Sequence, residues 1–345
     1  MKKYLLWNIL FLFASLGWTQ DVRLNWAVSA GNPPLQDYSF GLSVDDSGNV
    51  YTTGSYALTA DLDPGPGVEN YTAVGGADIY IHKLDNNGNF KWVKSIGGTL
   101  SDRGTEIVTD SDGNVYVTGY YLEEADFDPN DGTLNLTSNG SADIFVLKLD
   151  SLGNLIWAKS VGGSLLDRGI GIAIDEVGNV YTTGFFKDTV DFDPGVGISE
   201  LISEGGTDVF VVKLDREGDF VWANSYGGID DDAGSEIIID NANNISITGY
   251  YKETIDFNPE GIESLHTSLG GGDGFILKLD SDGNYIWSQS IGGTYGLDRA
   301  HSVTWDLMNN LYIVGWFGST VDFNSGPGDS LVTYGGYTDG FILKL

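Results

Sequence analysis

Aspartate carries most of the chemistry this sequence offers. One set stands at Asp37, Asp102, Asp167, Asp232 and Asp298, with Arg103, Arg168 and Arg299 beside three of them. Carboxylates recurring in this way suit a cation or a polar ligand. The same residues also cap turns through backbone N–H groups and pair with a neighbouring arginine, which locks one repeat to the next. A second set is three pairs, Asp61 with Asp63, Asp126 with Asp128, and Asp191 with Asp193, each within an Asp-x-Asp-Pro element. Paired carboxylates with carbonyls nearby suit Ca2+, a hard ion that takes about six to eight oxygens. The fourth and fifth copies carry Asn258 and Asn324 at the second position, which keeps an oxygen and drops a charge. The alternative is a loop stiffened by Pro, with its central Leu or Phe buried and its Asp bonded to the turn.

Other chemistries find little support. His82, His266 and His301 are scattered without metal-ligand spacing, and cysteine is absent, so thiol catalysis and Cys-zinc sites are excluded. No Gly-x-Ser-x-Gly elbow or phosphate loop appears. Asp110-Ser-Asp-Gly113 and Asp280-Ser-Asp-Gly283 look like pieces of calcium loops but lack the remaining ligands, and they read as turns. Trp305 and Trp316 occur only in the last repeat, as core packing or as a non-repeated binding patch.

The elements that must position these residues come from a repeat. Trp26, Trp92, Trp157, Trp222 and Trp287 are spaced by about 65 residues. Each opens a phrase such as Trp92-Val-Lys-Ser-Ile-Gly-Gly98. A second phrase follows, Asp110-Ser-Asp-Gly-Asn-Val-Tyr-Val-Thr-Gly119. A third is Asp-x-Asp-Pro, and a fourth is Ala142-Asp-Ile-Phe-Val-Leu-Lys-Leu-Asp150. Within one repeat, Gly169–Asp175, Val180–Phe186, Asp208–Leu214 and Phe220–Ser225 are short β-branched and aromatic runs separated by turn signals, hence strands. Gly takes the positive φ of the Asp-x-x-Gly-Asn turns and Asp caps them. Each repeat is then a four-stranded antiparallel meander, and five of them predict an all-β, five-bladed β-propeller. The chain ends at a third strand, Phe341–Leu345, while Arg23–Ser29 reads as a fourth strand with no blade before it. Pairing the two closes the ring and removes an open sheet edge. A fragment of a longer propeller is the alternative.

The phrases Lys-Leu-Asp-x-x-Gly-Asn-x-x-Trp, Asp-x-x-Gly-Asn-Val-Tyr-x-Thr-Gly and Asp-Phe-Asp-Pro-Gly resemble the SBBP-type β-propeller repeat over about residues 23–345. The resemblance implies an exported bacterial protein, of the kind found in Bacteroidetes, without a general enzymatic activity or catalytic residues to carry over. The family name implies seven blades where five periods are counted here.

Bulk properties narrow the partners. The formal charge is −32, from 49 acidic and 17 basic residues. Such a chain repels nucleic-acid phosphates and anionic lipid. Lys2 and Lys3 followed by the apolar run Tyr4–Trp18 read as a signal peptide over residues 1–20, leaving a propeller domain over 21–345. An uncleaved anchor is the alternative, though the run is short for a span. The expectation is a secreted, periplasmic or cell-surface monomer. It has no catalytic residues and is not an enzyme. It binds or displays an extracellular glycan or protein, with Ca2+ as a stabilising ion. The binding loops are expected on the face of the Asp-x-Asp-Pro loops and the connections into the innermost strands. The rival is a propeller glycoside hydrolase using axial carboxylates; a structural surface spacer is the third reading.

Overall fold

A computed structural model describes residues 25–31, 37–324, 330–333 and 335–345. The expected signal peptide lies outside the described residues. Among the described residues all regular structure is β. The first meander comprises β1 (Tyr38–Val44), β2 (Val50–Asp61), β3 (Asn70–Leu84) and β4 (Phe90–Gly98). The second comprises β5 (Arg103–Thr109), β6 (Val115–Asp126), β7 (Asn135–Leu149) and β8 (Leu155–Val161). The third comprises β9 (Arg168–Ile174), β10 (Val180–Asp191), β11 (Glu200–Leu214) and β12 (Phe220–Tyr226). In the fourth, β13 (Ala233–Ile239), β14 (Ile245–Tyr251), β17 (Asp273–Leu279) and β18 (Tyr285–Ile291) form the sheet, and β15 (Thr254–Asp256) and β16 (Leu265–Thr267) a separate ribbon. The last is three-stranded: β19 (Arg299–Trp305), β20 (Leu311–Phe317) and β23 (Asp339–Lys344), with a ribbon of β21 (Thr320–Asp322) and β22 (Leu331–Thr333). Every pairing between strands is antiparallel, and short bridges from Gly97 to Asp126 and from Gly98 to Ala125 join the first two meanders.

The tight turns form as their residues dictate. Asp45 Oδ1 accepts the N–H groups of Ser47 and Asn49, and Oδ2 accepts the Asn49 amide, while Gly48 takes φ 78°. The arrangement recurs at Asp110 and Asp175. At Asp240 and Asp306 the left-handed position is filled by Asn243 and Asn309, residues that tolerate it. The glycine of the Thr-Gly phrase has a different cause. A Cβ at Gly119 would lie 1.9 Å from the Arg103 carbonyl oxygen, because the strands approach closely at the bulge between Gly104 and Glu106.

Two expectations need correction. The second and third strands of the early repeats are 12 and 15 residues long, not five to eight. They run past the sheet into a second hairpin that ends at the Asp-x-Asp-Pro loop. A residue at positive φ (Leu58, Glu123 or Asp188) shifts the register there, so the alternation breaks and the continuation reads as loop. The second correction concerns the N-terminal strand. Residues 25–31 are not a strand, and among the described residues nothing pairs with the outer edge of β23. Trp26 nevertheless sits where a repeat tryptophan belongs. Its Nε1 donates to the Asn86 carbonyl at 3.3 Å, as Trp92 does to Ser151 and Trp157 to Arg216. Gly31 N–H donates to the Asp61 carbonyl, matching the bridge from Gly97 to Asp126.

The core lies between consecutive sheets. Ile79 and Ile81 of β3 pack with Ile107 and Val117 of the next meander, and Val209 and Val211 pack with Ile237 and Ile247 of the one after theirs. Tyr51, Tyr116 and Tyr181 meet the repeat tryptophans edge-on. At the two ends of this stack the same positions lie open. Ile276 is fully buried but its counterpart Ile342 is 81% exposed, and Leu42 is 63% exposed where Ile237 is buried.

Candidate functional site

The recurrent aspartates are turned into the protein. Asp102 is buried; Oδ2 accepts Gly98 N–H at 2.8 Å and Oδ1 accepts Leu122 N–H at 2.9 Å. Asp167 takes Gly163 and Lys187, Asp232 takes Gly228 and Lys252, and Asp298 takes Gly293 and Gly318 in the same way. Asp37 accepts Ala57 N–H. Each carboxylate therefore ties the connection between meanders to the second strand of its own sheet. Burial raises the pKa of Asp102 to about 6 and of Asp232 to about 7, against the lowering effect of these N–H donors. Beside them lie Asp78, Asp143, Asp208 and Asp273 at the start of the third sheet strands. They are buried too, and burial raises them to about 6, 7, 7 and 6.

The Asp-x-Asp-Pro loops are also built on backbone bonds. Asp61 Oδ1 accepts the N–H groups of Asp63 and Glu69, and Asp63 Oδ1 accepts Gly65 N–H. In the second copy Asp126 Oδ1 accepts the N–H groups of Asp128 and Leu134, and Asp128 Oδ1 accepts Asn130 N–H at 3.0 Å. In the third copy Asp191 Oδ1 accepts the N–H groups of Asp193 and Ser199, and Asp193 Oδ1 accepts Gly195 N–H at 2.7 Å. The other oxygen, Oδ2, of Asp63, Asp128 and Asp193 is covered by the loop itself. A Cβ on Gly67, Gly132 or Gly197 would lie 2.0 Å from it. The central Leu62, Phe127 and Phe192 are buried.

The residues expected to hold a metal lie in these loops. Among the described residues no three acidic or imidazole side chains converge as a metal site would require. Asp61 and Asp63 stand in one loop with Glu69, Asp126 and Asp128 in a second with Asp131, and Asp191 and Asp193 in a third. Asp63, Asp128 and Asp193 are wrapped by the turn that follows them rather than aimed with Asp61, Asp126 and Asp191 at a shared point. The physical reason is the Asp-x-Asp spacing itself: the first carboxylate accepts the N–H of the second residue, which directs the second side chain onward to its own turn.

The axis of the stack is different. The innermost strands of all five meanders, β1, β5, β9, β13 and β19, line one cavity of about 520 Å3. Glu106 and Glu236 are among the residues that line it, while Ile107, Ile172 and Ile237 are buried in the cores between sheets. Here the repeat breaks. The position occupied by Glu106 in β5 and Glu236 in β13 is Gly41 in β1, Gly171 in β9 and Ser302 in β19. The glycines have a packing reason. A Cβ on Gly41 would lie 2.8 Å from Glu106 Cα, and one on Gly171 would lie 3.1 Å from Glu236 Cα. Each glutamate thus faces a strand stripped of its side chain. Glu106 Oε1 accepts Ile107 N–H at 3.0 Å, and Glu236 Oε1 accepts Ile237 N–H at 3.4 Å. Burial raises both to about 7, and for Glu236 the charge of Glu106 adds to the rise. Two carboxyls poised near neutrality in one cavity can accept or donate protons, hold hydroxyls or take up a cation. Aspartate counting missed this pair. Its signal lay in aligning the innermost strands for difference rather than likeness.

At the other end of these strands, Arg103, Arg168 and Arg299 are the first residues of β5, β9 and β19. They stack on aromatic rings of neighbouring strands: Arg103 on Phe40 of β1 and Tyr120 of β6, Arg168 on Tyr120 and Phe185 of β10, and Arg299 on Tyr250 of β14 and Trp316 of β20. Trp316, singled out as unique to the last repeat, belongs to this mouth: Arg299 lies 5.6 Å from its ring and His301 stacks on it at 5.5 Å. Trp305 instead packs at the junction of the last two meanders, under Lys278.

Residues 91–120 match the β-propeller repeat family SBBP. Two curated relatives are similar over longer stretches. An uncharacterised WD repeat-containing protein of Acanthamoeba polyphaga mimivirus is 28% identical over 229 residues, 58% of this chain and 16% of its own length. The regulatory protein FlaEY of Caulobacter vibrioides is 26% identical over 195 residues, 55% of this chain and 19% of its own length. The matched stretch is thus less than a fifth of either relative. Among solved structures, a luciferin-regenerating enzyme has a TM-score of 0.35 at 11% identity, covering 80% of this chain and 83% of its own. A gluconolactonase from Xanthomonas campestris has 0.33 at 13%, covering 81% and 83%. Both are named as enzymes, and the expectation of a chain that is not an enzyme is withdrawn against them. Glu106 and Glu236 also make the innermost strands differ from one another. At these TM-scores neither neighbour assigns a reaction to this chain.

Proposed function

We propose that this all-β array of meanders, which carries an SBBP β-propeller repeat, is a five-bladed propeller whose N-terminal segment completes the last blade, and that it works outside the cytoplasm, binding an extracellular glycan or protein in its axial channel. The observation that carries this reading is the break in the repeat along the innermost strands: Glu106 and Glu236 line one cavity, and the positions equivalent to them are Gly41, Gly171 and Ser302. A position that only held blades together would take the same residue in each, as the buried aspartates do. Closure is supported by Trp26 and Gly31, which make the contacts of a preceding blade's fourth strand. A glycan array probed with the folded protein and with the Glu106→Gln/Glu236→Gln double variant tests the channel. Saccharides retained by the wild type and lost by the variant support it; an identical profile for both overturns it.

One observation favours a second reading. Two carboxyls that titrate near neutrality within reach of each other's charge suit general acid–base hydrolysis of a glycoside. Assay on chromogenic glycosides and soluble polysaccharides decides: turnover with a pH optimum near 7, abolished in either single Gln variant, selects hydrolysis over binding. Among the described residues no helix is long and apolar enough to cross a membrane. Ca2+ is left with a reduced place, as an ion held by one loop's two carboxylates, carbonyls and water. What supports it is the carboxylate pair of each loop: Asp61 and Asp63, Asp126 and Asp128, Asp191 and Asp193.

A further inference from the structure

The three mouth arginines are not paired with acid. The chain has 49 acidic residues, yet among the described residues none of Arg103, Arg168 and Arg299 lies within ion-pair distance of a carboxylate. The neighbouring aspartates point away, their oxygens taken by backbone N–H groups. The guanidiniums lie instead between rings. Arg103 is 4.7 Å from the Phe40 centroid and 5.8 Å from Tyr120; Arg168 is 4.3 Å from the same Tyr120 and 5.9 Å from Phe185. Two cations thus share one tyrosine. Arg299 stands 5.0 Å from Tyr250. Arg168 Nε is buried without an acceptor, whereas Arg299 Nε donates to Ser235 Oγ. The arginine position is Tyr38 in the first meander and Ala233 in the fourth, so three of the five positions are cationic.

Stacking fixes the plane of a guanidinium but leaves its in-plane N–H donors unused. Buried unpaired donors are costly, and like charges at one mouth repel. An anion with two coplanar oxygens relieves both, through paired N–H···O bonds. The surrounding charge of −32 selects against polyanions such as nucleic acid or a polysulfate, because their further charges would meet acidic surface. A ligand with one carboxylate per sugar ring, and an apolar C–H face to lie against half-exposed rings such as Tyr38 and Phe40, meets both conditions.

We infer that the axial mouth is a carboxylate site, and that the glycan entering the channel is a uronate-containing one. This rests on the channel-binding reading and names the chemistry of its ligand. The probe is a galacturonate trisaccharide titrated calorimetrically against the mature protein, with the neutral galactose trisaccharide as its partner. The uronate is expected to bind about tenfold to a hundredfold more tightly than the neutral sugar. The preference is expected to weaken with salt and to vanish in Arg103→Gln/Arg168→Gln. Arg299→Lys, which keeps the charge and loses the fork, is the variant to use if the double substitution does not fold; it is expected to reduce the preference several-fold. Equal affinity for the two sugars, both lost in Glu106→Gln/Glu236→Gln, overturns the carboxylate site and leaves the channel reading standing. Uronate binding that survives the arginine variants, an acidic hexapeptide that binds in its place, or no uronate binding at millimolar concentration each overturn the inference.

Discussion

The blade junctions and the channel wall are both rich in buried carboxyls, and they are built on opposite rules. At the junctions the residue is constant: Asp102, Asp167, Asp232 and Asp298 each accept two backbone N–H groups, with the same two partners in each meander. Along the innermost strands the residue at one position changes from Gly to Glu to Ser, and the two Glu line a single cavity. A constant residue solves a problem that every repeat has, namely docking the next sheet. A changing residue solves one that the molecule has once. In a repeat protein, departure from the repeat therefore marks function more sharply than abundance of acid does.

The largest expected effect comes from breaking the constant side. Asp102→Ala leaves the N–H groups of Gly98 and Leu122 buried without an acceptor, at a cost of about 2–4 kcal/mol. Chemical denaturation reads this as a lower midpoint with an unchanged slope. A loss below about 0.5 kcal/mol, the scale of an ordinary surface substitution, would remove the structural role of these aspartates. Gly119→Ala is expected to cost at least as much as a core cavity, about 2 kcal/mol, because its Cβ meets a backbone oxygen that cannot move alone.

The next effect is pH dependence. Asp102, Asp143, Asp208 and Asp232 have folded pKa values raised by burial to about 6 to 7 from a usual value of 3.8. Between about pH 4 and 7 the folded state then holds more protons than the unfolded one. The stability these groups contribute is fully present at the acid end and is lost as pH rises through 6 to 7. Thermal unfolding is expected to show a higher Tm at pH 5 than at pH 8; a Tm that climbs steadily to pH 8 would contradict it. The wall glutamates share this behaviour. Glu106→Gln/Glu236→Gln should therefore raise Tm at pH 8 by a few degrees and leave it unchanged at pH 4.5, where Glu is already neutral in the fold. A double variant that melts lower at pH 8 would make the pair structural, like the aspartates. The smallest effect is calcium. At a dissociation constant near the millimolar, 10 mM Ca2+ adds about 1.4 kcal/mol for each loop that binds it. An unchanged Tm removes calcium from the Asp-x-Asp-Pro loops.

Much of the fold was legible in the sequence. The tryptophan spacing, the Asp-x-x-Gly-Asn turns and the β-branched runs place four strands per repeat, close to where Arg168–Ile174, Val180–Asp191, Glu200–Leu214 and Phe220–Tyr226 are found. The outer hairpins were not legible, because residues such as Leu58 and Glu123 adopt the left-handed region without being glycine and leave no signal. Neither was the gap at the edge of β23: complementary ends state that a strand pairing is possible, not that it forms. The site was the least legible part. Asp37 and its equivalents stand out by recurrence, which is the signature of packing. Asp63, Asp128 and Asp193 stand out as partners of a second acid, yet their oxygens close their own turns. Glu106 and Glu236 stand out only when β1, β5, β9, β13 and β19 are compared position by position. The sequence offers each of these aspartates a backbone N–H or a neighbouring arginine as partner; the structure gives the aspartates to the backbone and the arginines to the rings.

The central claim is that the ligand is held where the repeat breaks. Its most direct measurement is the glycan-array profile at pH 7 of the wild type beside Glu106→Gln/Glu236→Gln, both verified as folded by their melting curves. Loss of the wild type's bound saccharides in a variant that melts no lower is the predicted result. Retention of the full profile by that variant would contradict the account.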